Sequence, residues 1–275
     1  MEPTPARERH DTLPEGLTEA IRATAEEIAA LLRGRADTSG PVPGSEWTLG
    51  EAAAHLAQAN ELMAEIAAGH ERSHGDGTPQ SLAAANERAL AGFAERGAEP
   101  LAEMIVAQAA AFLRAADGCA PQEAARTLET PLGPMDLPVL GSYLLTHMLG
   151  HGYDLARAVG RPHMLDRARV ELSMPFMITA MPRVVAAAAA GLTARYEIRL
   201  RGGSRFGVTL TDGEVSVDRG PVRRPDCTIL IEPVTFLLIA LGRCDPWGAI
   251  ARGRVLTWGR KPWLGPRFPT LFTAP

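Results

Sequence analysis

The residues with the clearest chemical potential lie in Leu144–Gly160, LLTHMLGHGYDLARAVG, where His147, His151 and Asp154 stand at i, i+4 and i+7 in otherwise apolar surroundings. If the segment is helical, its turns place all three side chains on one face. Imidazoles four residues apart on a rigid helix bring their ring nitrogens within reach of one ion, so the stripe reads as a metal site. The same spacing suits a core helix whose histidines are satisfied by carbonyls. Spacing alone does not choose between the two.

A further histidine bears on that choice. His55 is flanked by Ala54, Leu56 and Ala57 in the interior of a helical segment, and should face other helices. Helices in a bundle pack ~8 to 10 Å apart, so one histidine on one helix and an HxxxH pair on another can close on a single ion. Three neutral nitrogens with an open fourth position form the arrangement of a catalytic zinc rather than a structural one. His70 and His74 fall in a polar, glycine-containing loop and are expected in solvent. His10 and His163 have no partner in the pattern and are expected to be exposed as well.

The elements that must position these residues can be read in order. Leu17, Ile21, Ala25, Ile28 and Leu32 have helical spacing and predict a helix over 14–33, with Pro14 in its first turn. A Gly/Pro/Ser-rich loop follows. Thr48 with Glu51 three residues later is a capping-box signature, opening a second helix over 48–69 that carries His55. A long helix is expected over 81–116, kinked or turned at Ala98-Glu99-Pro100. After a loop or short hairpin over 117–138, the histidine helix spans 137–159. Four such helices are enough for a bundle.

Gly160-Arg161-Pro162 is a stop signal, and the character of the chain changes beyond it. Residues 167–190 still read as helical, bent at Pro175 and Pro182. From Gly191 the period becomes two, in Tyr196, Ile198 and Leu200, then Phe206, Val208 and Leu210, then Val215 and Val217. Asp212-Gly213 is the pair a type I′ hairpin turn favours. A strand over 226–232, helices over 233–242 and 245–253, a strand over 254–258 and a closing helix over 261–272 complete an α+β unit, a sheet covered on one face. The chain is thus expected to form two domains, an all-α four-helix bundle over 1–163 and an α+β domain over 164–275. Residues 1–13 are polar and expected to fray.

Composition narrows the function classes. With 46% hydrophobic and 22% charged residues over 275 positions the chain is an ordinary globular protein. Its net charge of -4 with scattered arginines argues against nucleic acid as a partner. No stretch reaches the ~20 apolar residues of a membrane span. The opening MEPTPARERHDT lacks a signal peptide's apolar run, so a cytoplasmic protein is expected. Cys119, Cys227 and Cys244 are odd in number and contain no CxxC, which fits a reducing cytosol and neither a disulfide frame nor a thiolate zinc site. Lys261 is the sole lysine, and with the abundance of alanine this suggests a GC-rich genome such as an actinobacterium's. Trp47, Trp247, Trp258 and Trp263 are expected as core or domain-interface anchors.

Trp47-Thr48-Leu49-Gly50-Glu51 with Ala54-His55-Leu56 resembles the signature that opens the metal-binding helix of DinB-like bundles. Together with His151-Gly152-Tyr153-Asp154-Leu155 and the α+β tail, it makes the chain similar to the mycothiol-dependent maleylpyruvate isomerase family, from about residue 14 to 272. In the tail, Asp226-Cys227-Thr228-Ile229, Leu241-Gly242-Arg243 and Gly253-Arg254-Val255 look like the sterol-carrier-protein-2-like second domain of that family. The resemblance implies a divalent metal, usually zinc, with His55 as first ligand and His151 as last. His147 stands where glutamate is common, which makes the set all-imidazole and leaves the ion more Lewis acidic. Asp154 is then an acceptor that orients a ligand or neighbouring helix from behind.

The activity so implied is that of a zinc enzyme that activates the thiol of mycothiol, a small-molecule cosubstrate, for addition to a small electrophile. The outcome is cis–trans isomerisation or S-transfer, by a monomer or homodimer. Arg243 is the leading candidate to hold the substrate's carboxylate or enolate, with Arg223 and Arg205 behind it. Two other readings stay open. One is a metal-dependent hydrolase that activates water; the other is a non-catalytic carrier of an apolar ligand in the tail.

Overall fold

The first helix begins at Leu17 behind an uncapped Gly16, so Pro14 lies ahead of it rather than in its first turn. A computed structural model describes residues 12–72, 74 and 78–273; His10 and most of the polar start lie outside the described residues. Helix α1 spans Leu17–Leu32. Helix α2, Leu49–Ala67, opens on the Thr48 capping box: the Thr48 hydroxyl accepts from the Glu51 backbone N–H, and the Glu51 carboxylate accepts from the Thr48 N–H at 2.8 Å. A small hairpin ahead of it, with Val42 N–H donating to the Trp47 carbonyl at 2.9 Å and Leu49 N–H to Gly40 at 2.8 Å, fixes where Trp47 points.

The expected long third helix is two helices instead. α3 (Pro79–Gly92) and α4 (Ala98–Asp117) are separated by extended chain, and Pro100 sits in the first turn of α4 rather than at a kink. The reason lies in Arg96, whose guanidinium caps the end of α3 by donating to the carbonyls of Leu90, Phe93 and Glu95. The Arg96 carbonyl in turn accepts from the Thr38 hydroxyl. A short α5 (Pro121–Ala124) and a Leu128–Met135 bridge fill the loop before α6 (Leu137–Ala158). Asp136 caps α6, its carboxylate accepting from Val139 N–H at 2.8 Å.

Four of these helices form the bundle. α4 packs between α1 and α2, and α6 closes the ring against both, while α3 lies on α2. Leucine, isoleucine and alanine on the inward faces are fully buried, among them Ile21, Ile28, Leu56, Leu101, Ile105 and Leu144.

The C-terminal unit starts with α7 (Arg167–Ala180). The helix expected to run to residue 190 stops at Ala180, because Pro182 cannot continue the hydrogen-bond ladder, and short 3-10 turns follow at Met181–Arg183 and Ala187–Ala189. Strands β1 (Ala194–Leu200), β2 (Arg205–Thr211), β3 (Glu214–Asp218), β4 (Cys227–Ile231) and β5 (Val255–Trp258) form one sheet in the order β3-β2-β1-β4-β5. Only the β1–β4 pair is parallel. Asp212 and Gly213 both take positive φ between β2 and β3, as a type I′ turn requires. Helices α8 (Pro233–Ala240) and α9 (Pro246–Ala251) follow β4. The predicted closing helix is replaced by two 3-10 turns, Pro262–Leu264 and Phe268–Leu271, each with a proline at its start. Trp247, Trp258 and Trp263 are exposed rather than core anchors, at 65%, 42% and 62%.

One hydroxyl ties the two units together. Pro175 has no N–H and interrupts the ladder of α7. There the Ser142 hydroxyl of α6 accepts from Phe176 N–H at 3.1 Å and donates to the Leu172 carbonyl at 2.8 Å, inserting itself where the helix cannot bond to itself. Ser142 is fully buried. Removing it leaves a buried N–H and a buried carbonyl without partners, so Ser142→Ala should lower unfolding stability by about 1–3 kcal/mol. Urea denaturation of both proteins checks this; equal midpoints would show that the splice contributes nothing.

Candidate metal centre

α6 supplies two imidazoles to the bundle interior and α2 one. His55, His147 and His151 each offer a ring nitrogen, and these atoms all lie within 4.8 Å of one another. His55 Nε2 approaches His147 Nε2 to 3.2 Å, and the ring centroids of the three pairs lie 4.5 to 5.1 Å apart. Glycines flanking His151 let α6 pack closely against its neighbours. A Cβ at Gly152 would meet Ile28 of α1 at 3.0 Å and Met164 sulfur at 2.8 Å, while Gly150 leaves room for Leu241 of the tail.

Burial sets the protonation of the cluster. Desolvation, then the charge of nearby His74, brings His55 down to about 4. His147 and His151 are pushed well below the ordinary histidine value by burial first, then by neighbouring imidazoles and the Arg243 cation. All three are neutral at pH 7, the form in which imidazole binds a cation. His147 Nδ1 is buried without a hydrogen-bond partner among the described residues. Three converging neutral nitrogens, one ring left with an orphaned atom, fit a tetrahedral ion with an open fourth position.

The surroundings of the triad differ on its two sides. Trp47 covers one, its ring 4.8 Å from His55 and 6.0 Å from His151, close to parallel with the latter. Arg243 reaches over from the tail and grips Asp154. Its Nε lies 3.0 Å from both carboxylate oxygens, Nη2 lies 2.6 Å from Oδ2, and Nη1 donates to the Leu241 carbonyl. The Asp154 carboxylate stands 3.7 Å from His151 Nδ1. On the other side a cavity of about 120 Å³ opens beside His55 and His147, walled by Tyr143, Gln58, Asn86 and Arg72.

His74 belongs to this wall too, with Nε2 2.7 Å from Asn86 Oδ1, and is not the solvent histidine expected from its loop. Arg72 is held by Glu65 at 2.9 Å. His70 and His163 are exposed. Arg223 is exposed between β3 and β4, and Arg205 pairs with Glu197 on the sheet, so neither joins the triad. The HxxxH pattern does not include Tyr143, although it sits one turn before His147 on the same helix face. The same i, i+4 rule carried back one turn finds it. A separate, apolar cavity of about 230 Å³ lies in the tail, lined by residues such as Phe176, Ile198, Phe236 and Phe268. No helix among the described residues is long and apolar enough to cross a membrane.

Comparison with known proteins agrees with this architecture. Residues 17–156 match the family described as Mycothiol maleylpyruvate isomerase N-terminal domain, and residues 179–259 match the SCP-2 sterol transfer family. No curated protein matches the chain. A crystal structure of a mycothiol-dependent maleylpyruvate isomerase with one histidine changed to alanine superposes with a TM-score of 0.51 at 12% identity, over 89% of this chain and 93% of that one. At that identity the likeness speaks for the fold. A further crystal structure of a mycothiol-dependent maleylpyruvate isomerase gives a TM-score of 0.49 at 13% identity, over 84% of this chain and 90% of that one. A stereoselective inverting sec-alkylsulfatase from Pseudomonas sp. matches over 50% of this chain with a TM-score of 0.32 and 18% identity, and this chain spans 24% of its length.

The depressed value of His55 has a consequence for stability. In the unfolded chain a histidine titrates near ~6.5, and in the folded protein His55 titrates near 4. Between those values the unfolded state binds more protons, so stability is full above the unfolded value and falls as pH drops towards the folded one. The metal-free protein should therefore show a lower denaturation midpoint at pH 5 than at pH 7. A variant with all three histidines changed to glutamine should lose part of that slope, and an identical slope in both would contradict burial of the triad as neutral imidazoles.

Proposed function

Because the chain belongs to the mycothiol maleylpyruvate isomerase N-terminal domain family, we propose that it is a mycothiol-dependent enzyme in which His55, His147 and His151 hold one divalent cation, zinc suiting three imidazoles best. What supports this most directly is the convergence of three neutral nitrogens from two helices. A bound dication would lower the thiol's pKa from ~8.5, so that the cosubstrate is a thiolate at neutral pH. In this reading residues up to 163 carry the cation, and residues from 164 contribute Arg243 and the apolar cavity.

The chain's own residues orient the reactants. Trp47 shields one side of the triad from water. Arg243 has five N–H donors, and Asp154 and the Leu241 carbonyl engage its three nitrogens without using all of them. The remaining N–H groups suit a substrate carboxylate. Asp154 holds Arg243 in that position and stands behind His151. The reaction class is thiolate addition to a small conjugated electrophile. Rotation and expulsion of the thiolate give cis–trans isomerisation, and the structural relative is named a mycothiol-dependent maleylpyruvate isomerase; retention of the adduct gives S-transfer. A second reading concerns the tail alone, where the apolar cavity suits an apolar ligand of the kind implied by a sterol transfer family.

Elemental analysis of the purified protein and of a His147→Ala, His151→Ala double variant tests the site. About one zinc per chain, lost in the variant, is expected. Metal retained in the variant would refute the assignment. Turnover of a cis-configured unsaturated keto acid that requires mycothiol is the accompanying expectation, and turnover without thiol would favour water activation. Asp154→Asn should keep the metal but weaken it by ~10 to 100-fold; an unchanged dissociation constant would remove Asp154 from the site.

A further inference from the structure

The cavity beside the triad contains a group that the reading above leaves without a role. Tyr143 is 6% exposed and lines that cavity together with His55 and His147. Its ring lies flat on Phe176 of α7, with centroids 4.2 Å apart and planes within 4°. It stands edge-on to His147 at 6.4 Å. Its neighbour Ser142 is the residue spliced into α7 at Pro175. The phenol is thus clamped between two helices and has little freedom to move. Its hydroxyl makes no hydrogen bond among the described residues, and the residue borders the cavity.

Several other polar groups of the cavity are already paired, while the Glu61 carboxylate also lines it. Gln58 donates to the Ala89 carbonyl, His74 pairs with Asn86, and Arg72 pairs with Glu65. A rigid, unpartnered donor facing two candidate metal ligands is an oxygen-binding site in waiting, of the kind that stabilises developing negative charge. At about 120 Å³ the cavity suits a small electrophile better than a sugar-bearing thiol.

Resting on the proposed thiol-addition chemistry, we propose that Tyr143 is a catalytic residue, whose hydroxyl donates a hydrogen bond to the carbonyl oxygen of an α,β-unsaturated carbonyl substrate seated in this cavity. The thiolate sulfur forms a bond to the β-carbon. The electron pair of the C=C bond moves to the bond between the α-carbon and the carbonyl carbon, and the carbonyl π pair moves onto oxygen. Tyr143 O–H holds that enolate oxygen by hydrogen bonding and keeps its proton. After rotation about the former double bond the flow reverses: the C=O and C=C bonds re-form, the C–S bond breaks, and its pair returns to sulfur.

Two measurements on the zinc-loaded full chain test this separately from the overall function. The first uses 4-oxopentanoate carrying a ¹³C-labelled ketone, a saturated probe that cannot react. Its bound carbonyl stretch is expected at lower wavenumber in the wild-type protein and not in Tyr143→Phe. An unshifted band in the wild type overturns the proposal whether or not the protein turns anything over. The second is mycothiol-dependent isomerisation of (Z)-4-oxopent-2-enoate. Tyr143→Phe, which keeps the stack on Phe176, should retain its zinc and a KM near that of the wild type while kcat falls by ~10² to 10³. A kcat equal to that of the wild type overturns the proposal. A shifted carbonyl band with no thiol-dependent turnover would instead keep Tyr143 as the carbonyl's partner and reject the thiol-addition reading.

Discussion

Three imidazoles can share a dry interior only if none is charged, because protonating one would put a cation in low dielectric within 4.8 Å of two further ligand nitrogens. Much of the structure around the site serves that constraint. Alanines and leucines on either side of His55 keep α2 close to its neighbours. Trp47 seals one side. The Arg243 cation is paired with Asp154, and its charge still helps to push His147 and His151 towards the neutral form.

α6 is where the two halves of the chain meet this constraint. One face of it carries Tyr143, His147 and His151 into the site. Gly152 lets it approach α1, and Gly150 accommodates Leu241 from the tail. Its N-terminal part enters the interrupted ladder of α7 through Ser142 and stacks on it through Tyr143. The proline that breaks α7 is therefore the feature that lets α6 attach to it. A regular helix at that point would have had no free N–H for the serine to bind.

Local signals in the sequence were strong where the chemistry was local. The Thr48–Glu51 box, the Asp212-Gly213 turn and the two-residue alternation of β1 and β2 each depend on groups a few residues apart. Boundaries failed where a distant or neighbouring group decided them. Nothing near residue 93 in a helical pattern reveals that Arg96 will fold back onto the end of α3. The exposure of Trp247, Trp258 and Trp263 likewise follows from which face of the tail remains uncovered, and residue type does not encode that.

The sequence by itself determined the bundle with its α+β tail, the family, and the pairing of His147 with His151, because helical periodicity fixes which side chains share a face. Tertiary structure alone decided the rest. It brought His55 to 3.2 Å from His147 across 92 positions of chain, and set Arg243 on Asp154 across 89. It brought His74, from its loop, and Tyr143, from α6, into the wall of one cavity. Such contacts depend on how helices approach one another, which is set by packing volume at glycines and alanines throughout the core rather than by any pattern within one segment.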